Sequence, residues 1–178
     1  DTQDDSIPPA LELFPLYTLA LMKNVAFRGG IDVHPDERVQ AFFHINKMWL
    51  DKSKSFVYPP LFSLHDMQPS AGYTSEDKVD DEQGDSCAGR DRIVLPSALP
   101  LTIDSLSSNG IYLVDNGVEF YLWVGREANA IYVNALFGVP SLENVEPVLN
   151  LESGDEFSTR VGSIISALRD DTADPFIV

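Results

Sequence analysis

The sequence predicts an α+β protein in which a helical segment precedes a small layered domain of strands and helices. Three observations lead to this prediction. A tight hairpin at residues 111–124 is apolar on both faces, two helical patterns precede it at 14–28 and 36–49, and two more follow it at 127–137 and 156–168. A sheet that is apolar on both faces needs cover on both, so we expect a mixed β-sheet flanked by helices.

Residues near their ends support the first two predicted helices. The helix at 14–28 has Pro15 in its first turn, where a missing N–H costs nothing, and Gly29-Gly30 suit its exit. The helix at 36–49 carries acidic residues in its first turn, where the helix dipole favours negative charge. Its predicted apolar face begins with Val39, Phe42 and Phe43.

The next segments lack helical signals. Residues 57–67 are predicted to be extended, because Pro59 and Pro60 break any helix. Residues 68–92 are rich in Ser, Asp, Glu and Gly and poor in apolar side chains. Such a stretch cannot bury enough apolar surface to fold by itself, so we predict an acidic linker that is mobile over residues 70–88.

The hairpin is the clearest element. Asn116-Gly117 is a strong signal for a two-residue type I′ turn, which needs positive φ at both central positions. With these two residues as the loop, strands 111–115 and 118–124 pair antiparallel, and Leu113 lies opposite Phe120. One face then holds Ile111, Leu113, Phe120, Leu122 and Val124, and the other holds Tyr112, Val114, Tyr121 and Trp123.

Helices to cover this sheet follow directly. The pattern at 127–137 ends before Gly138, which suits a helix C-terminus, and Pro140 prevents continuation. Ser153 and Glu156 have the spacing of a capping box at the start of the last helix. Its amphipathic stripe is formed by Phe157, Val161, Ile164, Ile165 and Leu168. Two further strands are predicted, "RIVLP" at 92–96 and "PFIV" at 175–178.

Composition narrows the classes of function. The chain has 178 residues and a net charge of −16, and residues 93–178 alone hold 12 acidic and 3 basic residues, net −9. Such a surface repels nucleic acid and anionic lipid. There is no run of about 18 apolar residues that could span a membrane. The lone Cys87 excludes a disulfide within the chain and fits a reducing compartment.

No catalytic motif is present. The sequence lacks a Walker A loop, a Rossmann glycine pattern, G-x-S-x-G and H-E-x-x-H. His34, His44 and His65 are widely spaced, so surface or packing roles are expected for them. We therefore predict no catalytic, cofactor-binding or metal-binding residue and no enzyme activity.

Two segments of the sequence could be interpreted as binding sites. An EF-hand loop starting at Asp80 would need Gly at position 85 and Glu at position 91, but the chain has Asp85 and Asp91. The acidic run is therefore interpreted as a solvated charge run. Tyr121 and Trp123 could form a binding patch, but packing of both against a helix in the core is favoured.

Several stretches, taken together and in order, resemble one protein family. They include "FPLYTLALMKN…RGG", "DERV", "YPPLFSLHD" and "GIYLVDNG…YLWVGRE", and the likeness covers about 130 of the 178 residues. They resemble the C-terminal region of the cargo-adaptor subunit of the COPII vesicle coat, of the Sec24 type. This resemblance implies the C-terminal part of a helical domain at 1–67, the linker at 68–92 and a gelsolin-like domain at 93–178.

The resemblance also implies a function and partners. The expected role is non-catalytic: selection of cargo and SNARE proteins for endoplasmic reticulum to Golgi transport, on the cytoplasmic side of exit sites and vesicles. The expected partners are a paralogous GTPase-activating coat subunit, a small GTPase and the outer coat. No cofactor is expected in this segment; zinc is expected in the N-terminal region of the full-length protein. No cargo-binding residue is assigned.

Two alternatives remain at this point. One is a calcium-regulated, actin-binding gelsolin repeat. The other is the GTPase-activating paralogue of the same coat, which resembles the adaptor in domain order but lacks the "PLYTLAL…RGG" run.

Overall fold

A computed structural model describes residues 8, 11–28, 30, 32–75, 92–141, 149, 151 and 154–170. The described part of the chain forms two compact units. The first contains the residues up to Pro60 together with Asp115–Phe120, and the second contains Leu61–Val114 and the residues from Tyr121 onward. The chain is α+β, as predicted.

Three helices build the first unit: α1 (Phe14–Lys23), α2 (Pro35–Lys47) and α3 (Leu50–Val57). Helix α1 ends five residues earlier than predicted, because the chain turns at Asn24, which accepts hydrogen bonds from Phe27 and Arg28. Helix α3 was not predicted. It ends at Val57, just before Tyr58 and the two prolines, so the expected helix break is confirmed.

Few side chains of the first unit are buried. Its buried apolar residues in the described part are Ala26, Val33 and Ala41. The predicted apolar face of α2 is largely exposed, since Val39, Phe42 and Phe43 each have more than half of their surface accessible. In the described part of this unit, the fully buried apolar side chains are therefore few and small, and larger ones such as Leu21, Ile45 and Phe56 are only partly buried.

The second unit is built on an antiparallel sheet of four described strands, in the order β2-β1-β3-β4. They are β1 (Leu61–Ser63), β2 (Ala98–Leu99), β3 (Ile111–Asp115) and β4 (Phe120–Val124), with the last residue of β3 and the first of β4 assigned to the first unit. Residues 175–178, which were predicted to form a further strand of a mixed sheet, lie outside the described residues. Of the predicted strand 92–96, only Ile93 forms a bridge, to Thr74.

The predicted register of the hairpin is wrong by two residues. Asn116 N donates to Glu119 O, and at the other end Gly125 N donates to Gly110 O, so these residues are opposite each other. In this register Leu113 faces Leu122 rather than Phe120, and the central turn residues are 117 and 118. Because side chains alternate with a period of two, the shift leaves every residue on its predicted face.

Side chains before the turn explain the shift. Asp115 Oδ1 accepts the N–H of Gly117, and Asn116 Oδ1 accepts those of Val118 and Glu119. Asn116 therefore serves as an acceptor before the turn rather than as its first central residue. Gly117 has φ +79 and supplies the positive φ instead.

Two helices complete the second unit: α4 (Ala130–Phe137) and α5 (Glu156–Asp170). Gly138 ends α4 in the left-handed conformation, as predicted. The α5 stripe is confirmed, with four members buried and Phe157 stacked 4.5 Å from Tyr132 of α4. Asp155 caps α5 by accepting the Phe157 N–H; Ser153, the predicted cap, lies outside the described residues. The core contains Leu64, Ile111, Leu113, Val133, Leu136, Val161 and Ile164.

Residues 68–75, which were predicted to begin the linker, make specific contacts. Ala71 is fully buried, Gly72 N donates to Val94 O, and Val94 N donates back to Tyr73 O. The remaining predicted linker residues, 76–91, lie outside the described residues.

Candidate interaction surfaces

Each of the three histidines has a structural contact. His34 Nδ1 accepts the Asp36 N–H at the start of α2, and the His44 ring lies 5.4 Å from that of Phe56. His65 Nδ1 accepts the Ile111 N–H at 3.2 Å, which links the end of β1 to β3. These contacts support the packing interpretation of the three residues.

The described ranges contain no metal-binding cluster of three or more His, Cys, Asp or Glu side chains. A search of the same residues finds no helix that is long and apolar enough to cross a membrane. Asp80 and Asp91, the ends of the rejected EF-hand loop, lie outside the described residues.

Tyr121 and Trp123 are exposed, so the favoured interpretation of both as core residues is wrong. The exposed fractions are 51% for Tyr121 and 40% for Trp123. Trp123 lies 5.5 Å from the ring of Tyr112, which in turn lies 5.2 Å from His65. We call the rings of His65, Tyr112 and Trp123 the aromatic strip.

A shallow cavity of about 270 Å³ lies beside the aromatic strip. Its lining includes His65 and Tyr112 together with Pro96 and Leu99. The Tyr112 hydroxyl is held in place by the backbone N–H and the hydroxyl of Ser107, both at 3.1 Å. This fixed, partly apolar surface suits non-covalent contact rather than chemistry.

Arg160 of α5 forms a second cluster that the sequence did not reveal. Its guanidinium donates to three backbone carbonyls of the segment after β1 and lies 5.2 Å from the centre of the Tyr73 ring. The carbonyl acceptors are those of Gln68 at 2.6 Å, Ala71 at 2.8 Å and Pro69 at 3.4 Å. We call this arrangement the Arg160 clamp.

A hydrogen bond beside the clamp joins Tyr73 to Glu156. The Tyr73 hydroxyl donates to Glu156 Oε1 at 2.7 Å, and this bond raises the pKa of Tyr73 above its ordinary value. Two cavities, of about 290 and 300 Å³, both include Glu156 and Arg160 in their lining.

Neither cluster assembles a reaction centre in the described part of the chain. A nucleophile would need a base within hydrogen-bond reach and a donor for the developing charge. In the clamp, the Arg160 guanidinium donates hydrogen bonds to backbone carbonyls, and Glu156 accepts one from the Tyr73 hydroxyl. The arrangement instead fixes one segment of the second unit to α5.

Comparison with known proteins extends over both units. Residues 2–55 match the Sec23/Sec24 helical domain, and residues 92–153 match the gelsolin repeat. The chain carries the helical and gelsolin-like domains of Sec23/Sec24 proteins. The Sec24 relatives include SEC24-1 of Candida glabrata, 36% identical over 168 residues, and SEC24 of Saccharomyces cerevisiae, 34% identical over 162 residues.

These matches cover most of this chain but little of the relatives. The Candida glabrata protein matches 91% of this chain and 17% of its own length; the values for the Saccharomyces cerevisiae protein are 89% and 17%. The crystal structure of the human COPII-coat protein Sec24c aligns with a TM-score of 0.69 at 24% identity, covering 93% of this chain and 20% of Sec24c. The last comparison supports the fold.

Proposed function

We propose that this chain is part of the non-catalytic cargo-adaptor subunit of the COPII coat, which selects cargo for transport from the endoplasmic reticulum to the Golgi. One observation carries the proposal. A single alignment with SEC24-1 of Candida glabrata runs through both compact units and covers 91% of the chain. The likeness therefore includes the order of the domains as well as each domain.

The partners and location follow from this proposal. The longer protein pairs with a paralogous GTPase-activating subunit and acts with a small GTPase and the outer coat. It captures cargo and SNARE proteins while lying peripherally on the cytoplasmic side of exit sites and vesicles. Most of these contacts, and a zinc site in the N-terminal region, belong to residues outside this chain, which spans only 17% of the SEC24-1 relative.

We further propose that the chain joins the C-terminal part of a helical domain, predicted at residues 1–67, to a gelsolin-like domain, predicted at 93–178. Because residues 61–75 lie in the second compact unit, we propose that the helical part ends near Pro60 and that the linker, predicted at 68–92, begins only after residue 75. Exposed apolar side chains support the first assignment. On α1, Phe14, Leu19 and Met22 each expose more than half of their surface, and α1 has no buried residue. Apolar faces of this kind need cover, and further helices of the same domain would provide it.

The actin-binding alternative is distinguishable from the adaptor. A calcium-regulated gelsolin repeat needs about 6–8 oxygen ligands that converge on the ion. The described residues contain no such cluster, and the SEC24 relatives match the helical unit as well as the gelsolin-like one. We expect no saturable micromolar calcium site and no co-sedimentation with actin filaments.

A chimera tests the adaptor proposal. The corresponding region of Saccharomyces cerevisiae SEC24, 34% identical, is replaced by this chain, and the tagged chimera is expressed as the sole copy. We expect secretory growth close to that of the unaltered protein. Capture of the GTPase-activating subunit, which depends on residues outside this chain, checks that the rest of the chimera is intact. The matched control carries an actin-binding gelsolin repeat in place of residues 93–178.

The outcome separates the candidates. A chimera that accumulates to normal levels and captures the partner but does not support secretion contradicts the adaptor proposal. Equal performance of the control would show that the gelsolin-like domain is a neutral spacer. Calcium-dependent actin binding by the isolated chain would favour the alternative.

A further inference from the structure

Asp115 is a buried carboxylate in the first compact unit. It is 4% exposed, and the described residues contain only one other buried polar or charged residue, Ser158. Burying a carboxylate costs free energy unless hydrogen bonds and an opposite charge compensate. The contacts of Asp115 should therefore include groups that compensate for the cost of its burial.

Two groups engage the carboxylate. Its Oδ1 accepts the backbone N–H of Gly117 at 2.7 Å, which shapes the hairpin turn. Its Oδ2 lies 4.0 Å from Nζ of Lys52 on α3, and the Lys52 side chain is only 14% exposed. The Asp115 side chain thus contacts both the hairpin turn and helix α3.

The backbone of the turn also lies close to α3. A Cβ atom at Gly117 would lie 2.8 Å from the carbonyl oxygen of Lys52, which is closer than real Cβ contacts come. The N–H of Asp115 donates to Pro60 O, just beyond the end of α3, at 3.4 Å. Residues 115–120 therefore belong to this unit by steric fit as well as by charge.

We propose that Asp115 is a positioning residue that fastens residues 115–120 onto α3, so that the helical unit depends on this distant turn for its stability. The buried apolar residues described in this unit are small: Ala26, Val33 and Ala41. Because few side chains of this unit are fully buried, disruption of a buried charge pair between the turn and α3 should be felt by the helix.

Hydrogen exchange of the full 178-residue chain tests this dependence. Asp115→Asn keeps an oxygen acceptor for Gly117 but removes the charge opposite Lys52. We expect amide exchange in α3 to become about tenfold faster or more, because the variant removes the negative charge that faces the largely buried Lys52 ammonium. Exchange in α5 of the second unit should be unchanged.

Two further variants make the test specific. Lys52→Met should also speed α3 exchange, and the effect of the double variant should be smaller than the sum of the two single effects, because both remove the contact between these two side chains. Gly117→Ala should also loosen α3, whereas Val118→Ala, at a residue 46% exposed, should not. Unchanged α3 exchange in Asp115→Asn, additive effects, or equal acceleration in α5 would overturn the proposal.

Discussion

The hydroxyl of Tyr73 donates a 2.7 Å hydrogen bond to the carboxylate of Glu156, a residue 83 positions further along the chain. The bond raises the pKa of Tyr73 above its ordinary value of 10.0. A raised pKa means that the folded state favours the protonated phenol. The stability gained is therefore present below pH 10 and is lost as the pH rises through the folded-state pKa.

Tyr73→Phe should remove this pH dependence. We expect the wild-type chain to be more stable than the variant at pH 8, and the difference to shrink steadily above pH 10. Parallel urea titrations of both chains from pH 8 to pH 11 would measure it. Since other groups titrate equally in both chains, a difference that stays constant across this range would contradict the assigned hydrogen bond.

The Arg160 clamp should stabilise the second unit. Arg160→Met keeps most of the aliphatic stem but removes the donors to Gln68 O and Ala71 O. We expect a loss of about 1–3 kcal/mol in the free energy of unfolding, as for hydrogen bonds made by a charged group. The control is Arg126→Met, at an exposed arginine of the same unit. If the two variants lose the same amount in urea unfolding, the clamp has no special role.

The hydrogen bond from Ile111 to His65 Nδ1 should matter for the sheet. Ile111 is fully buried, so replacing His65 by Leu leaves its N–H without this acceptor. We expect a cost of about 1–3 kcal/mol, measured by thermal or urea unfolding. Ser63→Ala, which removes only the neighbouring hydroxyl at 3.1 Å, should cost less. Equal costs would indicate that the hydroxyl, rather than the backbone bond, is important.

Two glycines should respond in opposite directions to alanine. Gly138 ends α4 with φ +72, so Gly138→Ala should destabilise by about 1–2 kcal/mol. Gly162 lies inside α5 and a new Cβ there would meet Leu151 at an ordinary 3.7 Å, so Gly162→Ala should stabilise by about 0.5–1 kcal/mol. A stabilising shift in Gly138→Ala would contradict the left-handed helix end at Gly138, and a destabilising shift in Gly162→Ala would contradict the free space inferred beside α5.

Some elements were predictable because their signals are local. The left-handed Gly138 and the α5 stripe follow from residue type and a period of 3.6. Helix α3 spans only eight residues, LDKSKSFV, and its apolar side chains stand at its two ends, so its amphipathic pattern is too short to identify a helix from the sequence. Its position depends on contacts such as that of Ser53 Oγ with Ile45 O.

The candidate surfaces were harder to predict. Arg160 binds backbone carbonyls, and every residue type has one, so the sequence does not indicate which carbonyls it binds. The apolar residue Ala71 and the ring of Tyr73 were the available signals that residues 68–75 are packed, but they stand in a stretch whose composition favours a linker. Trp123 and Tyr121 were misjudged because aromatic composition alone does not distinguish a covered strand face from an exposed one.

The alternation of the hairpin strands bears on how this protein can vary among species. Loss or gain of two residues near Gly117 would return each side chain of β3 and β4 to the same face, so the core built on Ile111 and Leu113 would survive. A change of one residue in a strand would turn its apolar side chains outward. Natural length variants should therefore occur in the turn, where loops of different lengths can join the same two strands, rather than within β3 or β4, unless a bulge absorbs the added residue.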